Sequence, residues 1–128
     1  DVPGLLPDAE VVFLALPLTD ETRGLVGEAF LARMPPGALL VNVARGPVVD
    51  TAAVLRHIGR LRFALDVTDP EPLPPEHPLW SAPEVLVSPH VGGATTAFRP
   101  RAITLLRDQL ARLAAGAPGT HLVRTPVL

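Results

Sequence analysis

A cation, a carboxylate and an imidazole occur at intervals of about one strand and one crossover, as Arg45, Glu71 and His90. Each follows, directly or after a short turn, an apolar run typical of a buried strand. An Arg can bind a carboxylate through two parallel hydrogen bonds, and an imidazole beside a carboxylate can transfer a proton near neutral pH. Because the carboxyl ends of parallel strands share one edge of a sheet, we expect these side chains to lie at one site.

Each of these residues also has an ordinary structural interpretation. Arg45 could be a solvated residue at a strand end, and Glu71, between two prolines, could be a surface carboxylate. His90 could be structural, although the Gly92–Gly93 step after it would let a ligand approach the backbone closely. Asp66 lies in an apolar run, where an ionised side chain is costly unless it is paired or close to the edge of the sheet.

Four short apolar runs predict the strands that position these groups, at residues 11–16, 38–44, 63–67 and 85–87. Their nearly continuous apolar character predicts a parallel sheet covered on both faces. Helices are predicted over Thr22–Met34, capped by Thr19 or Asp20, over 50–58, capped by Asp50, and over about 95–115, ended by Gly116. The prolines between 70 and 83 predict an extended loop without a helix. This order of elements indicates an α/β fold built from βαβ units.

Composition excludes several classes of protein. The chain has 128 residues, of which 48% are hydrophobic, enough for one folded domain. A net charge of -2 and an aromatic content of 4% argue against nucleic acid and anionic membranes as partners. Without cysteine there is no disulfide or thiolate metal site, and no pair of histidines has metal-ligand spacing. The longest apolar run is far shorter than a membrane span and no signal-peptide pattern is visible, so we expect a cytoplasmic protein. His57 is expected to be solvated on its helix.

Four blocks of the chain, in this order, resemble the D-isomer-specific 2-hydroxyacid dehydrogenases. They read LALPLT with ETRGL, then LVNVARGPVVD, then ALDV with PEPL and HPLW, and finally SPHVGGAT. The resemblance covers roughly residues 10 to 116 and implies a Rossmann-like parallel sheet with flanking helices. No G-x-G-x-x-G phosphate turn occurs in the chain, so the resemblance is to the second half of such a dinucleotide-binding domain. We therefore predict a partial NAD(P)-binding domain over 1–116 and a tail over 117–128.

The resemblance also implies a reaction and a set of roles. Hydride would pass between a nicotinamide cofactor, NAD or NADP, and a small 2-oxo or D-2-hydroxy acid. His90 would donate the proton to the substrate oxygen, Glu71 would hydrogen-bond the ring and favour its charged form, and Arg45 would hold the substrate carboxylate. Asp66 would bind the nicotinamide carboxamide. The remaining cofactor contacts would come from Pro17, Thr22, Val43, Ala44, Arg45, His90, Gly92 and Gly93.

Two other functions stay open at this point. Corepressor-like relatives keep this fold and these three residues, so the chain could be a non-enzymatic interaction module; it could also be an inactive, truncated remnant. A formate dehydrogenase is disfavoured, because that branch carries Gln where Glu71 stands. The strand over 11–16 would lie at an apolar, unpaired edge, so we expect a homodimer or self-association through that edge, and no activity from the chain alone.

Overall fold

A four-stranded parallel sheet is the centre of the computed structural model, which describes residues 2–120. Its strands, in both chain and spatial order, are β1 (Val11–Leu14), β2 (Leu39–Asn42), β3 (Arg62–Leu65) and β4 (Val85–Val87). The register aligns Phe13 with Val41, Val41 with Ala64, and Ala64 with Leu86. The predicted α/β sheet is therefore confirmed, with strands a little shorter than the apolar runs because pairing stops where the connecting loops diverge.

Residues 2–120 contain four α-helices: α1 (Val2–Leu5), α2 (Glu28–Arg33), α3 (Thr51–His57) and α4 (Phe98–Ala114). Helix α3 begins as predicted, because the Asp50 carboxylate accepts a hydrogen bond from the Ala52 N–H at 2.9 Å. Helix α4 ends at Ala114, and Gly116 follows it with a φ of +64° and donates its N–H to the Leu113 carbonyl at 3.1 Å. Two of the predicted helix boundaries are thus set by local capping.

The predicted helix over Thr22–Met34 is wrong in its first half. Only α2 is helical, its N-cap is Gly27, and neither Thr19 nor Asp20 caps it. Residues 20–24 form hydrogen-bonded turns, in which the Arg23 N–H donates to the Thr19 carbonyl at 3.0 Å. Val26 then pairs with the segment after β2, since its N–H donates to the Val48 carbonyl at 3.0 Å. This tertiary pairing overrides the helical spacing of the apolar residues.

Only one face of the sheet is buried in the described part of the chain. Both connections that carry helices cross in the same direction, so α2 and α3 lie side by side on one face, above Leu40 and Phe63. On the opposite face the two ends of the aligned row, Phe13 and Leu86, are 66% and 67% exposed. The prediction of a sheet covered on both faces is therefore wrong for these residues.

His57 is buried rather than solvated, with 7% of its surface exposed. Its Nε2 lies 2.7 Å from Glu28 Oε1, and its Nδ1 accepts a hydrogen bond from Arg60 Nε at 3.1 Å. Arg60 in turn donates to the Met34 carbonyl at 2.7 Å. His57 therefore ties α3 to both ends of α2, which a helical-wheel reading of α3 alone does not reveal.

The chain divides into two compact units, one up to Gly92 and a second from Gly93 onward that contains α4. The predicted domain limit at residue 116 stays a prediction, and residues 121–128 of the predicted tail lie outside the described residues. The loop over 70–83 is not wholly extended: Pro78–Trp80 forms one 3-10 turn, which tolerates Pro at its first position. Across residues 2–120, the helices are all too short or too polar to span a membrane.

Candidate functional site

The imidazole of His90 and the carboxylate of Glu71 form a direct pair beyond the carboxyl ends of β3 and β4. His90 Nδ1 lies 2.6 Å from Glu71 Oε1, and the two side chains are 44% and 41% exposed. An ionised carboxylate only accepts hydrogen bonds, so Nδ1 carries the proton in this pair. The orientation leaves Nε2 as the ring atom that can exchange a proton with a substrate.

A cavity of about 170 Å³ lies beside this pair. Its walls include the apolar side chains of Leu73, Trp80 and Val87 as well as Glu71 and His90. The pair is thus open to solvent on one side and supported by apolar groups on another.

The backbone of His90 has an unusual conformation that aims its side chain. A tight turn follows β4, with the His90 N–H donating to the Ser88 carbonyl at 3.0 Å. His90 itself has a φ of +55°, in the left-handed region that few residues other than glycine adopt. Such conformations persist where surrounding contacts hold them, and they concentrate at functional sites.

Asp66, immediately after β3, supplies those contacts. Its Oδ1 accepts hydrogen bonds from the Ser88 hydroxyl at 2.6 Å and the Val91 N–H at 2.9 Å, and its Oδ2 accepts one from the Gly92 N–H at 2.8 Å. The pKa of Asp66 is lowered, chiefly by the Ser88 hydrogen bond and further by the Gly92 and Val91 amides, against the opposing effect of burial. The carboxylate is therefore ionised at neutral pH, and the turn that carries His90 is folded around it.

Arg45 follows β2, two strand spacings from β4, which is about 9–10 Å. Its Nη1 donates to the Ala44 carbonyl at 2.6 Å, and no ion pair joins it to another described residue. Asn42, only 1% exposed, holds this turn: it accepts from the Ala44 N–H at 3.0 Å and donates to the Arg45 carbonyl at 3.1 Å. Arg45 is thus placed at the same edge as His90 without contacting it.

The turn after β2 packs directly on the loop after β3. A Cβ atom added to Gly46 would lie 1.8 Å from the Thr68 carbonyl oxygen, so only glycine fits this approach. Thr51 Oγ1 donates to the Asp69 carbonyl at 2.8 Å, and Thr68 Oγ1 donates to the Pro70 carbonyl at 2.9 Å. The Arg45 turn and the Glu71 loop are therefore held together by backbone packing.

Thr22 closes the loop after β1. Its hydroxyl donates to the Pro17 carbonyl at 2.8 Å and accepts from the Thr19 N–H at 2.7 Å. These bonds occupy the hydroxyl, so the structure gives Thr22 a role in shaping the loop. Its predicted contact with a cofactor stays a prediction, as does that of Pro17.

The other predicted cofactor residues differ in exposure and location. Val43 is 44% exposed after β2, whereas Ala44 is 4% exposed and offers its backbone. A Cβ atom on Gly92 would lie 2.8 Å from Asp66 Oδ2, so that residue must be small for the Asp66 contact to form. Gly93 belongs to the second unit and has open space around its Cα.

Sequence reasoning missed three residues that organise this site: Asn42, Gly46 and Ser88. A polar Asn inside an apolar strand is a usable signal, because a buried amide must find hydrogen-bond partners. The approach of Gly46 to Thr68 and the bond from Ser88 to Asp66 each join residues 22 positions apart. Such contacts leave no local pattern in the sequence.

Comparison with known proteins decides the family. A model described as the D-isomer specific 2-hydroxyacid dehydrogenase, NAD binding domain, matches residues 1–92. The chain belongs to this family. The resemblance stated on the four sequence blocks is confirmed, as is the Rossmann-like fold with a nicotinamide dinucleotide as the family's cofactor.

The curated relatives are longer reductases. The glyoxylate reductase of Aeropyrum pernix is 39% identical over 127 residues, which cover 97% of this chain and 38% of the relative. That of Thermofilum pendens is also 39% identical, over 131 residues that cover 100% of this chain and 39% of the relative. The chain thus spans about two fifths of the length of these relatives.

Solved structures show the same fold with cofactor bound. A D-isomer specific 2-hydroxyacid dehydrogenase from Xanthobacter autotrophicus Py2, in complex with NADPH and MES, is 43% identical with a TM-score of 0.86. The match covers 96% of this chain and 51% of that one. An NADPH-dependent glyoxylate/hydroxypyruvate reductase from Sinorhizobium meliloti, in complex with NADP and sulfate, is 31% identical with a TM-score of 0.83, over 95% of this chain and 40% of that one.

The residues at the carboxyl edge suit a nicotinamide. A carboxylate offers about four acceptor positions, and the protein uses three of those of Asp66, which leaves one on Oδ2 for a carboxamide N–H. Val43 and Val91, 44% and 50% exposed, offer apolar surface for a ring face. The acceptor position on Asp66 and the apolar surface therefore fit this group.

Proposed function

We propose that the chain supplies the proton-transfer and substrate-binding half of an NAD(P)-dependent 2-hydroxyacid dehydrogenase. The observation that carries the proposal is the His90–Glu71 pair at 2.6 Å, which leaves Nε2 free at the carboxyl edge of the sheet. The nicotinamide, when bound, supplies the hydride that the carbonyl carbon of a small 2-oxo acid accepts. The chain's own residues handle the proton and the charge.

His90 is proposed as the general acid. In the reducing direction, its protonated Nε2 donates to the substrate oxygen as that oxygen gains negative charge, and in the oxidising direction the neutral ring takes the proton back. Glu71 holds Nδ1–H, so the ring keeps the orientation that presents Nε2, and its negative charge stabilises the imidazolium. Glu71 thus acts through His90 as a positioning residue.

Arg45 is proposed to bind the carboxylate of the substrate. Its guanidinium projects from the turn after β2, and only one of its N–H groups has a described partner, the Ala44 carbonyl. Two of its remaining N–H groups can hold a carboxylate with two parallel hydrogen bonds. The fixed cation also stabilises charge that develops on the neighbouring carbonyl oxygen.

The test is turnover by the chain within its native polypeptide, with glyoxylate and hydroxypyruvate as probes and NADH or NADPH consumption as the readout. His90→Gln is expected to lower kcat by about 10²–10⁴, the usual contribution of a positioned general acid. Its affinity for the reduced cofactor, measured by fluorescence titration, should change little. Unaltered kcat in His90→Gln would refute the proton-transfer role.

Arg45→Gln tests the second role against a matched control. It should raise the KM for the oxo acid far more than the KM for the cofactor, because the lost contact is with the substrate carboxylate. Arg107→Gln, an equal change at an exposed residue of α4, should leave both constants unaltered. Equal effects of the two substitutions would contradict the assignment of Arg45.

We also propose self-association through the β1 edge. The edge strand β1 has no partner on its outer side among the described residues, and Val11 and Phe13 are 47% and 66% exposed. Unpaired backbone groups beside apolar side chains favour pairing with a second chain. A homodimer and a cytoplasmic location stay predictions.

A further inference from the structure

The turn that carries His90 is built around a carboxylate that is not part of the His90–Glu71 pair. Asp66 accepts three hydrogen bonds from the segment after β4, and the donors come from Ser88, Val91 and Gly92. These donors flank His90 on both sides. We propose that Asp66 and Ser88 are positioning residues that hold the His90 backbone in its left-handed conformation and so fix the direction of the imidazole.

The backbone conformation of His90 needs stabilising contacts. A residue with a side chain pays a free-energy cost at a φ of +55°, so an isolated turn of this sequence would favour other conformations. The N–H groups of Val91 and Gly92 point at the same carboxylate only when the chain reverses at His90. Hydrogen bonds to an ionised acceptor are stronger than neutral ones, and three of them offset that cost.

The Asp66 carboxylate is nearly buried against the turn. Asp66 is 8% exposed, so an unmade hydrogen bond here would leave a desolvated charge without a partner. The Cα of Gly92 approaches so closely that a Cβ atom would lie 2.8 Å from Asp66 Oδ2. The turn and the carboxylate therefore lie in close contact at Gly92.

Ser88 is the one residue of the three that donates to Asp66 through its side chain. Its hydroxyl lies 2.6 Å from Asp66 Oδ1, and its own N–H donates to the Leu65 carbonyl at 2.9 Å. Ser88 is thus joined to β3 by backbone and side chain just before the reversal. This double attachment sets where the turn starts, and the Val91 and Gly92 amides set where it ends.

The experiment measures the turn directly in the chain, by amide hydrogen exchange and by the Cα and Cβ chemical shifts of His90. In Asp66→Asn and in Ser88→Ala, exchange at Val91 and Gly92 should accelerate roughly ten- to hundredfold, the range for losing a hydrogen bond to a charged acceptor. The His90 shifts should move away from left-handed values. Ser88→Thr keeps the hydroxyl and should restore both readouts.

Two controls separate positioning from general stability. Ser81→Ala removes an exposed hydroxyl whose distance to the Pro78 carbonyl is 3.5 Å, and should alter neither readout. The Ser88 amide, bonded to Leu65, should keep its exchange rate in every variant. If all amides of β3 and β4 exchange faster together, Asp66 acts on overall stability and the proposal is wrong. Unaltered exchange at Val91 and Gly92 would also overturn it.

The catalytic consequence of this proposal rests on the proposed function. In the native polypeptide, Ser88→Ala should lower kcat about tenfold while the KM for the cofactor stays nearly constant, and Ser88→Thr should recover kcat. The exchange and shift measurements need neither substrate nor cofactor. If the native polypeptide shows no turnover, and Ser88→Ala still accelerates exchange at Val91, the proposed function is refuted and the positioning role is supported.

Discussion

Among the glycines of the described residues, Gly46 is the one at which an added methyl group is expected to damage the site most. The added Cβ would lie 1.8 Å from the Thr68 carbonyl oxygen, 2.2 Å from the Thr68 carbonyl carbon and 2.9 Å from the Asp69 nitrogen. All three are backbone atoms, so no side-chain rotation can relieve the overlap. The turn with Arg45 and the loop with Glu71 must separate by about 1.6 Å or more to bring this shortest distance into ordinary van der Waals contact.

The size of the loss in stability can be estimated from the contacts that this separation disrupts. Overpacking a buried site costs about 1–3 kcal/mol, and an overlap between two backbones belongs at or above the upper end. The separation also stretches the bond from Thr51 Oγ1 to the Asp69 carbonyl, which measures 2.8 Å. We expect a loss of about 3 kcal/mol in the free energy of unfolding, a large part of the usual stability of a small domain.

Urea unfolding followed by circular dichroism measures this loss. With an m-value of about 1–3 kcal/mol/M, the midpoint should fall by roughly 1–3 M, or the variant should be unfolded without urea. Gly93→Ala is the matched control, because a Cβ atom there meets nothing within 4 Å. A Gly46→Ala midpoint equal to that of Gly93→Ala would refute the packing of the two loops described above.

Three further predictions concern the cap, the buried carboxylate and the exposed edge. Asp50→Ala should lower the free energy of unfolding by about 1 kcal/mol in thermal melts, whereas Asp50→Asn, which can still cap Ala52, should lose much less. Because the pKa of Asp66 is lower in the folded chain than in the unfolded one, the ionised carboxylate contributes its full stabilisation at neutral pH. This contribution declines as the pH falls below about 4, through the folded-state pKa. Melts from pH 7 to pH 3 should show this decline, and its persistence in Asp66→Asn would assign it to other groups. Phe13→Lys should reduce self-association in sedimentation experiments, and association equal to that of the unmodified chain would exclude the β1 edge as the contact.

The fold was predictable where each element depends on its own residues. The apolar runs predict all four strands, and Asp50 and Gly116 predict two helix boundaries. The start of α2 was not predictable, because the segment before it pairs with the loop at Val48, more than twenty residues away. The exposed face of the sheet was not predictable either, because the sequence does not show whether an apolar residue such as Phe13 is covered or exposed.

The sequence predicted which residues lie at the carboxyl edge of the sheet, but not the contacts that hold them there. Residue types at strand ends indicate that Arg45, Glu71 and His90 share an edge, and the structure brings two of them into contact. The left-handed backbone of His90 was not predictable, because the contacts that hold it come from Asp66, more than twenty residues earlier. Gly46 gave no signal either, since its neighbour Thr68 is equally distant.

The loop over 66–71 contacts both of the turns that, in the proposed function, act on one small substrate. At its start, Asp66 binds the turn that carries His90, and at its end Glu71 binds the imidazole itself. Between them, the backbone at Thr68 receives the turn that carries Arg45. Distances between a general acid and a substrate-binding cation must hold to within a fraction of an ångström for efficient catalysis. A single loop that touches both turns can set such a distance, because any displacement of one turn must pass through it to the other. Substitutions at Gly46 and Asp66 should therefore be non-additive, and a double variant that loses no more stability than the worse single one would support a shared loop.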